Sequence, residues 1–160
     1  MDLIAKRLVY VIERIAAVLF ISLFLVVVLN IALRNVFGVS WLWIPGMSRL
    51  LFIWTVFLGT TVLYERHDHL LMDFFVAKLA TSARVKLEAF VNVCFLAFDF
   101  VLIYYGIKVV QLRTGIPFET WDFSTAYAYA AVPVAGVIMM YLCLNKLRHY
   151  MKGELYESGV

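Results

Sequence analysis

The 160-residue sequence has few charged residues, and this shortage excludes an ordinary soluble domain. Charged residues make up 16% of the chain, hydrophobic residues make up 64%, and the mean hydropathy is +0.91. A soluble domain is nearer half apolar and a quarter charged. A chain of this length cannot bury so much apolar surface in one small core. The composition therefore indicates an integral membrane protein.

The sequence also has only two cysteines, Cys94 and Cys143, and both lie inside apolar runs. No CxxC pair is present, so neither a redox motif nor a zinc site is indicated, and buried, unreactive thiols are expected. The net charge of +3 comes from Lys and Arg at segment ends and does not suggest nucleic-acid binding. Nothing resembles a nucleophile–base pair or a phosphate loop, so we expect no catalytic residue and no enzymatic activity.

The apolar runs predict an all-α fold with four transmembrane helices in one membrane domain over residues 1–160. The first run, 15–33, has no charged residue and would span about 29 Å at 1.5 Å per residue. A signal peptide is the alternative, but Arg34 and Asn35 follow the run where a small-residue cleavage site would stand. The other predicted spans are 45–64, 89–110 and 124–144. Three tryptophans are expected to anchor the membrane interface, namely Trp41, Trp43 and Trp121.

The segment 65–88 is the most charged part of the sequence. Its apolar residues recur at three- and four-residue steps, which predicts an amphipathic interfacial helix over 69–82, with an ordinary loop as the alternative. Ten of the 14 Lys and Arg residues lie in this segment and the two chain ends. The positive-inside bias therefore places this segment and both termini in the cytoplasm.

A polar stripe marks the third predicted helix. Asn92, Asp99 and Gly106 recur at seven-residue steps, so they stay near one face, drifting by only ~20° per step. Such a stripe should face protein, and we expect it to face a partner. Asp99 could belong to an ion path, but a structural contact with Asn92, Asn30, a tyrosine or another subunit is favoured.

Two further features, the histidine-rich segment and Arg49, each have a functional and a structural interpretation. His67, Asp68, His69 and Asp73 could suggest a metal, but sites need three or four convergent ligands, so a polar helix start is favoured and no metal is predicted. Haem ligation is not indicated, because the histidines lie outside the spans. Arg49 could bind an anion, although snorkelling or pairing with a neighbouring helix is favoured.

Pro133 is expected to kink the last helix, and Ser124 or Asp122 could cap it.

Short motifs follow one another in order along nearly the whole chain, and their main positions are Asn30, Arg34, Trp43, Arg49, Trp54, Gly59, His69, Asp73 and Pro133. This ordered set resembles the small membrane (Q) subunit of tripartite ATP-independent periplasmic (TRAP) transporters. In such proteins acidic residues often precede the arginine that corresponds to Arg49, whereas Ile44–Ser48 has none, so a salt bridge would be absent or differently supplied.

The resemblance implies a non-catalytic scaffold subunit in a bacterial inner membrane. Its implied partners are phospholipid, a large elevator-type membrane subunit that holds the substrate and sodium sites, and a periplasmic substrate-binding protein. The cargo would be an organic anion, either a carboxylate or an acidic sugar such as sialic acid. No cofactor is expected on this chain. The alternatives from other classes are a stand-alone ion-coupled carrier that uses Asp99, and a membrane anchor for a redox enzyme.

Overall fold

The structure, a computed structural model, describes residues 3–38, 41–66, 81–118 and 121–151. Within these ranges four helical spans are long and apolar enough to cross a membrane, which confirms the predicted four-helix membrane fold. Residues 69–80 of the predicted interfacial helix lie outside the described residues, as do His69 and Asp73. The elements in chain order are α1 (Leu3–Phe37), α2 (Ile44–Arg66), α3 (Thr81–Arg113), β1 (Pro117–Phe118), β2 (Trp121–Ser124), α4 (Ala126–Tyr129) and α5 (Ala131–Met151).

Two of the helices are longer than a bilayer requires. With 35 residues in α1 and 33 in α3, each helix is about 50 Å long at 1.5 Å per residue, against roughly 30 Å of hydrocarbon. Both helices contain their predicted span and continue past it at each end. Such helices must tilt or project beyond the hydrocarbon.

The helices pack in the order α1, α2, α5, α3, so that α2 and α5 are central. Burial in the most apolar 18 residues differs between the spans. Of these residues, 39% are buried in the last span but only 6% in the first, so α1 lies at the periphery. We call the end of the bundle that carries β1 and β2 the hairpin end, and the opposite end, where α2 finishes and α3 begins, the distal end. The buried apolar cluster at the distal end consists of Ala5, Val9, Tyr64, Met139, Leu142 and Cys143.

Two glycines allow α3 and α5 to approach closely. A Cβ atom added at Gly106 would lie 3.0 Å from Pro133 Cδ, and one added at Gly136 would lie 2.9 Å from Ile103 Cγ1. Neither site has room for a side chain without movement of its neighbours. Small residues at helix contacts are a general device of membrane bundles, where van der Waals packing drives association.

The connection between α3 and α5 contains a β-hairpin that was not predicted. β1 and β2 pair antiparallel, and the Thr125 N–H donates to the Ile116 carbonyl at 2.9 Å. The Ser124 hydroxyl donates to the Arg113 carbonyl at 2.8 Å and accepts from the Ala126 N–H at 3.2 Å, whereas the N-cap residue of α4 is Thr125, which makes no side-chain capping bond. These bonds attach the hairpin to the end of α3 and the start of α4.

The last span is interrupted just before Pro133, the residue at which a kink is predicted. The predicted fourth helix is divided at Ala130 into α4 and α5, and Pro133 lies in the first turn of α5. A proline in the first turn costs little, because its missing N–H would have no intrahelical partner there. The division therefore accommodates the proline.

Candidate functional site

The polar stripe of α3 is covered by α5 of the same chain. Asn92 is 5% exposed and Asp99 is fully buried. The Asn92 amide donates to the Cys143 carbonyl at 2.8 Å, and its Oδ1 atom accepts a hydrogen bond from the Tyr64 hydroxyl. Since Gly106 packs against Pro133, all three stripe positions face this chain's interior. This corrects the expectation that they offer a surface to a partner, although the stripe does face protein.

Asp99 lies in the contact between α3 and α5, opposite Gly136. Its backbone carbonyl is 3.7 Å from the position that a Gly136 Cβ atom would occupy. Among the described residues, neither carboxylate oxygen of Asp99 accepts a hydrogen bond of ordinary geometry, but the buried Cys143 thiol of α5 is a polar neighbour of this carboxylate. The candidate partners named from the sequence lie elsewhere, because Asn92 bonds to Cys143 and Asn30 lines a pocket at the hairpin end.

A buried ion pair lies at the distal end of the bundle. Lys146 Nζ lies 3.2 Å from Glu65 Oε2, and the two side chains are 0% and 4% exposed. The same ammonium donates to the Tyr64 carbonyl at 3.3 Å and lies 4.2 Å from the centroid of the Tyr64 ring. The pair joins α2 to α5. Sequence reasoning treated both residues as surface charges, because partners about 80 positions apart give no local signal.

The cysteines differ in their environments. Cys143 is buried, as expected, and its Sγ atom lies 2.9 Å from the Tyr64 hydroxyl. Cys94 is exposed on α3, which contradicts the expectation that both thiols are buried. It occupies the outer side of a peripheral helix, where an apolar run faces away from the bundle.

Arg49 and Trp54 fasten α2 to α4 at the hairpin end. The Arg49 guanidinium donates to the Tyr129 hydroxyl and lies 5.6 Å from the centre of that ring, while Arg113 lies 5.3 Å from it. Both are cation–π distances. The Trp54 indole donates to the Tyr127 carbonyl at 3.0 Å. In this chain Arg49 thus pairs with a tyrosine rather than with a preceding acidic residue.

A concave pocket of about 520 Å³ surrounds this arginine. Three guanidinium groups line it, contributed by Arg34 from the last turn of α1, by Arg49, and by Arg113 from the last turn of α3. Of the predicted interfacial tryptophans, Trp41 lines the pocket and stacks on Trp43 at 5.8 Å, whereas the Trp121 side chain lies outside the described part. The remaining lining residues are Asn30, Leu42, Pro45, Gly46, Ile116, Pro117, Phe118 and Thr125.

One face of α2 continues from Arg49 as an open apolar strip. Phe52, Val56 and Leu63 are all large, apolar and exposed. A Cβ atom at Gly59 would meet nothing within 4 Å. Spacings of three and four residues place these positions in one row along the helix. We call this row, Phe52–Val56–Gly59–Leu63, the α2 strip.

No set of three or more His, Cys, Asp or Glu side chains converges in the part of the chain that the structure describes. The four residues weighed as metal ligands, His67, Asp68, His69 and Asp73, lie outside it. The metal prediction therefore stays a prediction.

Comparison with known proteins identifies relatives of the chain. A family model for the DctQ component of tripartite ATP-independent periplasmic transporters matches residues 23–153. The chain is 26% identical over 130 residues to the sialic acid TRAP transporter permease protein SiaT of Haemophilus influenzae, a match that covers 81% of the chain and 21% of that protein. It is 28% identical over 111 residues to the sialic acid TRAP transporter small permease protein SiaQ of Vibrio cholerae, covering 69% of the chain and 64% of that protein. The matched part thus spans about a fifth of the first relative and just under two thirds of the second.

Proposed function

Because the chain belongs to the DctQ-component family of tripartite ATP-independent periplasmic transporters, we propose that it is the non-catalytic scaffold subunit of such a transporter. In this role it enlarges the fixed part of the membrane complex, against which a larger subunit moves its transport domain like an elevator. The large subunit holds the substrate and sodium sites, and a periplasmic binding protein delivers the substrate. The chain itself needs no cofactor.

The observation that carries this proposal is the uncovered apolar surface of α1. Val18, Phe24 and Leu25 are each about 60% exposed, and among the described elements only α2 packs extensively on this helix. Lipid or another membrane protein must cover such a surface. Meanwhile, Tyr64 and Asn92 bond to each other and to α5 inside the bundle. The polar groups of this chain thus stabilise contacts between its own helices, while the exposed apolar surface of α1 is available to bind another membrane protein.

The substrate class follows from the relatives. Two proteins similar to this chain are named for sialic acid, so we propose that the complex imports an acidic sugar of this class, coupled to sodium. The excess of Lys and Arg in the segments of the distal end supports an orientation with both termini in the cytoplasm of a bacterial inner membrane.

The proposal is tested in cells that carry the binding protein and the large subunit, with and without this chain. We expect labelled sialic acid to accumulate only when the chain is present, and a tagged chain to copurify with the large subunit. Full uptake without the chain, or failure to copurify in a mild detergent, would contradict the proposal.

A second candidate function, a stand-alone ion-coupled carrier, has one observation in its favour. Asp99 is fully buried in a membrane span, and among the described residues its carboxylate has no basic partner and no hydrogen bond of ordinary geometry. Acidic residues inside membranes often mark ion or proton paths. Substitution of Asp99 by asparagine separates the two functions, because only the carrier depends on its charge.

A further inference from the structure

The pocket at the hairpin end concentrates positive charge that the described residues leave uncompensated. Arg34, Arg49 and Arg113 all line it, and none of the described residues that line it is acidic. Among the described residues none of these three guanidinium groups forms an ion pair. Two of them share the Tyr129 ring, which is a weaker partner than a carboxylate. The pocket is therefore a candidate anion-binding site.

The surroundings of the pocket are those of a lipid headgroup. The stacked pair Trp41 and Trp43 lies at its edge, and tryptophan rings are enriched at the headgroup level of bilayers. Leu42 and Ile116, which also line the pocket, are 78% and 46% exposed. A site meant only for a small soluble anion has no need of exposed apolar residues at its rim.

The α2 strip extends this site into the apolar part of the bundle. It begins one turn after Arg49 and carries no charged residue from Phe52 to Leu63. Its side chains are about half exposed, and Gly59 leaves open space at the middle of the row. Charge at one end followed by about 16 Å of bare apolar helix, at 1.5 Å per residue, matches a phosphate followed by an acyl chain.

We propose that the pocket binds the phosphate headgroup of an anionic phospholipid, with one acyl chain lying along the α2 strip. The guanidinium groups donate hydrogen bonds to the phosphate oxygens, a pairing for which arginine geometry is well suited. A bound lipid would join the last turns of α1 and α3 to the first turns of α2. This inference does not depend on the transport role.

The test is a titration of the full-length chain in detergent, read by native mass spectrometry. The probes are phosphatidylglycerol, phosphatidylcholine, glycerol 3-phosphate and sialic acid. We expect phosphatidylglycerol to bind more tightly than zwitterionic phosphatidylcholine. Neither soluble anion should displace it at equal concentration, because neither has a chain to occupy the strip.

Single variants locate the site. Arg34→Gln, Arg49→Gln and Arg113→Gln should each weaken phosphatidylglycerol binding about fivefold, the effect of one basic residue near a membrane surface. Arg14→Gln is the matched control, since Arg14 also donates to a tyrosine and lies over its ring, but near the distal end. If Arg49→Gln unfolds the chain, Arg34→Gln still decides, because Arg34 makes no polar contact among the described residues.

Three outcomes would overturn the proposal. Equal binding of phosphatidylglycerol and phosphatidylcholine would remove the preference for an anionic headgroup. If the single variants Arg34→Gln and Arg113→Gln both remain folded and bind phosphatidylglycerol with unchanged affinity, the lipid binds elsewhere. Displacement by glycerol 3-phosphate or sialic acid at equal concentration would show a soluble-anion site in place of a lipid site.

Discussion

The burial of Lys146 differs from what its position in the sequence suggests. It stands in the basic carboxyl-terminal stretch of a membrane helix, yet its side chain is fully buried. Its ammonium contacts the Glu65 carboxylate, the Tyr64 carbonyl and the Tyr64 ring. A buried charge is tolerated only when paired and hydrogen-bonded. The pair is therefore a requirement of the native packing of α2 on α5.

Removal of this ammonium should be strongly destabilising. Lys146→Met is expected to lower the free energy of unfolding by about 3 kcal/mol or more, because the buried Glu65 carboxylate loses its counter-charge. The double variant Glu65→Gln/Lys146→Met should recover much of that loss. The measurement is a double-mutant cycle by unfolding in detergent. Lys108→Met serves as the control, since Lys108 lies over the Tyr104 ring without a buried carboxylate. Additive effects of the two substitutions would contradict the pairing.

Asp99 decides between the scaffold and the carrier interpretations. If its role is to pack between α3 and α5, Asp99→Asn keeps its size and removes an acidic group that accepts no hydrogen bond of ordinary geometry among the described residues. We expect sialic acid uptake by the assembled complex to stay near wild type, and thermal stability to hold or rise. Asp122→Asn, on an exposed side chain, is the control. Loss of uptake by Asp99→Asn in a stable complex would favour an ion path through this chain.

At the scale of the elements, the sequence predicts the helices well because long uncharged runs leave few alternatives in a membrane. It does not predict the hairpin, because strands of two and four residues carry too little pattern. Contacts made by Thr125 and Ser124 hold the hairpin in place. Nor does it predict where the last helix divides, since Pro133 is compatible with a kink as well as with a helix start.

Two glycine substitutions, one inside the contact between α3 and α5 and one outside it, test how closely these helices approach. Gly106→Ala should destabilise the chain by about 1–3 kcal/mol, because the new Cβ atom would meet the Pro133 ring and backbone at 3.0–3.1 Å. Gly59→Ala faces open space and should be neutral, or stabilising by up to about 1 kcal/mol through helix propensity. Thermal unfolding of the two variants in detergent measures the difference. Equal midpoints would contradict the close approach of the two helices.

For the whole molecule, the sequence predicts the class and the family but not the use of its polar residues. Asn92, Asp99 and Gly106 were correctly placed on one face, yet the neighbour that covers them is α5 of the same chain. Periodicity defines a face of a helix, whereas the partner of that face depends on tertiary packing. For the same reason the three arginines of the hairpin-end pocket could not be grouped from positions 34, 49 and 113.

If the chain is a scaffold, it supports transport without performing it. The most direct measurement is uptake of labelled sialic acid into proteoliposomes under a sodium gradient, with the binding protein added outside. Vesicles would contain this chain alone, the large subunit alone, or both. The account predicts uptake only when both are present. Uptake by vesicles that contain this chain alone would contradict it.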